Sequence, residues 1–201
     1  MTKCVLMAGI LGGLAIFAWT SIAHMVLPLG EVGVQELPNE APVLAAMNSQ
    51  IGNRSGLYFF PGMGVGPNAT HAQRNAAMKD YEPKLAANPS GILIYHPAGA
   101  KMRMGAQLGT EFLTELAEAF LLVLLLARAR IATFGGRVRF AVIAGVMVAI
   151  GTNISYWNWY GFPGNYTFAY MLIQVVGFLC MGIVAGLVMK GGAEKTAAAA
   201  V

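Results

Sequence analysis

The stretch TEFLTELAEAFLLVLLLARAR, Thr110–Arg130, decides how this chain folds. Its second half is apolar enough to lie in a bilayer. Its first half carries Glu111, Glu115 and Glu118. On a helix these acids are spaced i, i+4, i+7, so they fall within an arc of about 60°. Gln107 and Thr114 share that stripe, and Leu122 and Leu125 continue it as apolar residues. A polar face of this kind cannot point at lipid without large cost. It belongs inside a helix bundle or beneath an outer domain. If the span begins near Leu108, Glu118 lies about 12–15 Å inside it.

Three further apolar segments are long enough to cross a bilayer, which needs about 20 residues per helix. They are Val5–Leu27, Val138–Trp157 and Phe168–Met189, with Leu108–Ala129 as the second span in chain order. The chain is 57% hydrophobic and 11% charged, which puts it in the membrane class. The expected fold is an all-α integral membrane bundle of four transmembrane helices. A small α/β extracytoplasmic domain is expected between helices 1 and 2. The boundaries are residues 1–28 for the first span, 29–107 for the outer domain and 108–190 for the remaining spans. A disordered cytoplasmic tail covers 191–201.

Charge gives the orientation. The link ARARIATFGGRVR between the second and third spans holds four Arg and no acid. Lys3 and Lys190 lie on the same side of a four-span chain, which the positive-inside rule makes cytoplasmic. Both termini are then inside and residues 29–107 outside, in a bacterial inner membrane. An alternative treats residues 1–23 as a cleaved signal peptide ending at Ser21-Ile22-Ala23. The net charge of +4 is not a nucleic-acid footprint, because no basic face alternates with stacking aromatics. No nucleic-acid partner is expected. Cys4 and Cys180 sit in apolar runs without C-x-x-C spacing and read as inert buried thiols.

Within the outer segment, a helix starts at Leu37-Pro38-Asn39-Glu40 and runs to about Gln50. GLYFFPG (Gly56–Gly62) and GILIYHPAG (Gly91–Gly99) read as two short strands that pair as a ribbon. His71–Ala87 reads as a helix, bent near Pro83. A two-stranded ribbon is marginal alone and must rest on other elements.

The intramembrane polar residues all fall in the outer halves of the spans: Thr20, Ser21 and His24, then Asn153, then Gln174, with the glutamates. The inner halves are apolar, with Gly9 and Gly13, and Gly182 and Gly186, at close-packing spacing. This predicts a polar cavity, marked by Thr20, Asn153 and Gln174, open outward and closed toward the cytoplasm. A continuous pore would carry polar residues along its whole route.

Three carboxylates on one arc repel, so they require protons, cationic partners or a metal. His24, Lys101 and Arg103 are the candidate partners. One reading is a site for a divalent metal or a proton made by Glu111, Glu115, Glu118 and His24, although no Glu-x-x-His is present. The other reading is that the acids complement the dipole at a helix N-terminus. No cofactor is otherwise expected. His71 and His96 read as solvated or capping residues, and Met25, Met63, Met102 and Met104 as packing. Trp157, Trp159 and Tyr160 mark an aromatic interfacial turn. G-x-S-x-G, H-E-x-x-H and P-loop signatures do not occur.

The segments AWTSIAHMVLPLGEVGVQELPNE and YWNWYGFPGNYTFAYML, about a fifth of the chain, resemble a group of small uncharacterised bacterial four-span membrane proteins. The resemblance implies a four-span bacterial protein with an outer domain and carries over no functional residues. Three functions are therefore expected, in this order. The first is a non-enzymatic accessory or structural subunit packed against another membrane protein or a second copy in the bilayer. The second is a protein binding a metal ion or small solute at the carboxylates. The third is a membrane-embedded enzyme using Glu118 as acid or base.

Overall fold

A computed structural model of the chain describes the backbone of residues 3–198 and the side chains of residues 3–189. The described residues are mostly helical. In chain order they form α1 (Lys3–Met25), a 3-10 turn (Leu29–Glu31), α2 (Glu40–Ile51), β1 (Gly56–Phe60), α3 (His71–Ala87), β2 (Gly91–Tyr95), α4 (Met104–Arg128), α5 (Phe134–Tyr160) and α6 (Gly164–Ala198). They divide into two compact units, one formed by residues 1–35 and 103–201 and the other by Glu36–Met102.

In the first unit, α1, α5 and the Gly164–Met189 part of α6 are long and apolar enough to cross a membrane. That is the mark of a membrane-embedded chain. α4 is equally long at 25 residues but carries the three glutamates along with Arg128. The disordered tail expected over 191–201 lies beyond the residues whose side chains are described.

Small residues set the packing of this unit. A Cβ on Gly13 would fall 2.8 Å from Leu116 Cδ1, and one on Gly12 would fall 3.5 Å from the Ala119 Cβ. α1 and α4 therefore touch almost backbone to backbone. Gly177 meets Ile16 and Trp19 in the same way, and Gly182 meets Ala141. The paired positions run in opposite directions along the chain, so α1 is antiparallel to α4 and to α6, and α5 is antiparallel to α6. Val5, Ala8, Ile16, Ala119, Leu122, Val123, Leu126, Ala141, Phe178 and Met181 make the shared core. Such close approach is how helices associate where lipid supplies no hydrophobic drive.

Several boundaries differ from expectation, and α5 and α6 begin at Phe134 and Gly164 rather than at Val138 and Phe168. α4 begins at Met104 rather than Leu108. α5 runs on to Tyr160, so Trp157, Trp159 and Tyr160 form its last turn, and only Gly161–Pro163 links it to α6. Gly161 adopts a left-handed φ of 69° and stops α5, a conformation that favours glycine.

In the second unit, β1 and β2 pair antiparallel with Leu57 opposite Ile94 and Phe59 opposite Ile92. α3 opens on a capping box in which Thr70 and Gln73 satisfy each other's backbone amides. It accommodates Pro83 in its interior. α2 and α3 bury no residue.

Candidate functional site

The α1–α4 contact fixes the level of every glutamate. Phe17 meets Phe112 edge to face at 5.3 Å between centroids. Gly13 meets Leu116, and Gly9 meets Phe120. Residues 112–120 of α4 thus lie beside residues 9–17 of α1, the middle of an apolar helix of spanning length. The acids interrupt that length.

The stripe does not stay together. Its three carboxylates enter three environments. Glu111 is exposed and lines a cavity of about 550 Å³ with Thr20, Ser21, His24, Gln107 and Tyr170. Glu115 is turned inward and only 4% exposed. Its Oε2 is buried with no hydrogen-bond partner among the described residues, and Thr20 is the nearby polar side chain. Glu118 is half-buried and faces a separate groove of about 510 Å³ between α4 and α5. The other side chains lining that groove are apolar.

The cavity around Glu111 is built by three helices. His24 from α1 packs edge to face on Tyr170 of α6, with centroids 5.9 Å apart. The turn after α1 closes over this pair. A side chain at Gly30 would overlap the His24 ring, and the Tyr170 hydroxyl reaches the Gly30 carbonyl at 3.5 Å. Tyr170 stacks on Tyr166 at 4.3 Å, Tyr166 packs on Phe162, and Phe162 on Tyr156. An aromatic row therefore links the end of α5 to the end of α1. Trp157, Trp159 and Tyr160 are exposed, and Tyr160 packs on Tyr156 of this row.

The remaining polar residues are paired elsewhere. The buried Asn153 donates from Nδ2 to Gln174 Oε1 at 2.7 Å and to the Ala149 carbonyl at 2.9 Å. Thr20 lines the Glu111 cavity, whereas Asn153 and Gln174 are not among its lining residues. Among the described residues, no three His, Cys, Asp or Glu gather closely enough to hold a metal ion. Within the expected set, His24 and Glu111 come together, Glu115 lies beneath Thr20, and Glu118 stands apart.

The helix-dipole reading of the acids meets a specific obstacle. α4 has no acidic residue in its first turn, because it starts four residues earlier than expected. Glu111 is the eighth residue of the helix, and the favourable effect of the dipole is confined to the first turn. Arg103 is the N-cap residue without a side-chain capping bond, and Lys101 belongs to the second unit. His71 is the first residue of α3, and His96 follows the last residue of β2.

Sequence reasoning treated Arg137 only as an orientation signal. It is buried, donating from Nε to the Ile131 carbonyl at 2.9 Å and from Nη1 to Gly186 at 3.2 Å. The guanidinium ties the start of α5 to α6. Nothing in the local sequence distinguishes it from Arg139. No protein-family model, curated protein or solved structure matches this chain.

Proposed function

We propose that this chain is a non-enzymatic accessory or structural subunit of a bacterial inner membrane, packed against another membrane protein. α4 acts as a fourth span, antiparallel to α1. Both termini are cytoplasmic, and unit Glu36–Met102 lies outside. Two features support the four spans: the glycine-mediated contact of α4 along the middle of α1, and the Arg-rich link between α4 and α5.

The observation that carries the subunit reading is the outer unit. Of its residues, all described, only Pro61 and Tyr95 are buried. On the ribbon, Leu57, Phe59, Ile92 and Ile94 share one face by their register; Tyr81 of α3 stacks on Phe59, while Leu57 and Ile94 stay 69% and 70% exposed. A two-stranded ribbon with an open apolar face is unstable in water without a covering surface. A partner's outer domain supplies that cover.

The test is purification from native membranes in mild detergent. A second membrane protein at fixed stoichiometry is expected, lost when Leu57 and Ile94 are both changed to Lys. Purification as a stable monomer, with unchanged melting behaviour in the double variant, would refute the reading.

One observation favours a second reading, a small-solute or metal site in the outer half. Glu115 Oε2 is buried and unpartnered just below a cavity lined by His24, Thr20 and Glu111. Under that reading a divalent cation raises the melting temperature, and Glu111→Gln with Glu115→Gln abolishes the rise. Acid–base catalysis by Glu118 ranks third, since the apolar groove offers no second polar group to a substrate.

A further inference from the structure

The helices of the first unit pack as a row, α4 on α1, α1 on α6 and α6 on α5, while α4 and α5 meet only thinly. The row does not close. Its gap is the groove of about 510 Å³ that holds Glu118. Leu121 and Leu125 of α4 form one wall, and Ile143 and Met147 of α5 form the other. These four side chains remain more than half exposed, Leu121 at 63% and Met147 at 69%. Glu118 is fourteen residues from Met104 and ten from Arg128, about 21 and 15 Å along the axis. A half-open carboxyl therefore stands near mid-depth with no polar neighbour in its groove.

We infer that this groove seats a transmembrane helix of the partner protein, which presents a Lys or Arg side chain to Glu118. The inference rests on the subunit reading and on α4 as a span. Lipid tails cover the apolar walls but offer no donor to the carboxyl, and an exposed acid at this depth is strongly disfavoured. Intramembrane acids are characteristically matched by an opposite charge. A second copy of this chain cannot supply that charge. The basic side chains of its spans are Lys3, His24, Arg128, Arg137 and Arg139, all close to helix ends, and Gly164–Met189 has none. The occupant is thus a different chain with a cation midway along an apolar helix.

A photo-crosslinking residue at Leu121 or Met147 in the full-length protein, in its own membranes, tests this. Leu14, on the exposed side of α1 and outside the groove lining, serves as the control. The expected result is one crosslinked protein from both groove positions, much weaker from Leu14. Its crosslinked peptide lies in an apolar span containing Lys or Arg. Glu118→Gln reduces the crosslink several-fold, and so does Leu125→Trp, which fills the groove without touching the carboxyl. Glu118→Asp retains it, which separates loss of docking from loss of folding. Glu118→Lys abolishes it, and changing the partner's Lys or Arg to Glu restores it. A stoichiometric partner that crosslinks only from Leu57 or Ile94 would overturn the groove inference and leave the subunit reading standing. Lipid-only crosslinks from a solitary protein would overturn both. A self-crosslink from the groove would replace the partner helix with a second copy and overturn the charge match.

Discussion

Glu115 shows how one residue's meaning depends on its neighbours. In the sequence it is the middle member of an acidic arc. In the fold it is turned inward and its Oε2 has no hydrogen-bond partner among the described residues. Leaving a buried polar group unpaired costs roughly 1–3 kcal/mol. Replacing a buried charged group with an apolar one of similar size is often stabilising. Glu115→Met is therefore expected to raise the stability of the purified protein by about 1 kcal/mol, read by thermal unfolding in detergent. A marked loss of stability instead would mean that Oε2 holds a bound group, and the solute-site reading would gain. That the arc divides among three environments was not legible in the sequence. Spacing of i, i+4, i+7 places side chains on their own helix. It carries no information on which neighbours lie to either side of the stripe.

At the scale of elements, three of the expected spans, α1, α5 and α6, were legible because apolar runs of about 20 residues have few alternatives. The ribbon was legible from its Gly-bounded aromatic segments, whereas the Thr70–Gln73 capping box that starts α3 was not singled out in the sequence. The start of α4 was not, because Met104-Gly105-Ala106 lacks a capping side chain, and Arg103 makes no capping bond. The glycine spacing predicted close helix contact, and two substitutions measure it. Gly13→Val places atoms where Leu116 Cδ1 and Cα stand at 2.8 and 3.0 Å. It is expected to destabilise the unit by about 1–3 kcal/mol through overpacking. Gly151→Ala meets no atom within 4 Å among the described residues and should not lower the melting temperature, since Ala favours the helix over Gly. In the outer unit, Thr70→Ala removes the capping box of α3 and should weaken its first turn by about 1 kcal/mol. Faster hydrogen exchange at the amides of Gln73 and Arg74 would report it.

For the whole molecule, incompleteness recurs in both units. The membrane unit leaves the α4–α5 groove unfilled, with a carboxyl inside it. The outer unit leaves the Leu57–Ile94 end of its apolar ribbon face uncovered and buries little of its own. Each unit, described by itself, presents surface that a soluble or lipid-bathed monomer would not retain without cost. Composition could place the chain in a membrane, and its arginines carry only the proposed orientation. Neither could reveal that the helices form an open row, because that depends on which small residues meet, here Gly9, Gly13, Gly177 and Gly182. α4 meets the α1 glycines through Leu116, Ala119 and Phe120, and its side toward α5 is lined by Leu121 and Leu125, which leave the gap.

The subunit reading is tested most directly by native mass spectrometry of the full-length protein released from its own membranes. The expected result is a complex of fixed stoichiometry with a different membrane protein, which dissociates in the Leu57→Lys, Ile94→Lys variant. A lone monomer of unaltered stability in that variant, carrying a metal ion that Glu111→Gln and Glu115→Gln release, would contradict it. The carboxylates would then be the functional centre of the protein.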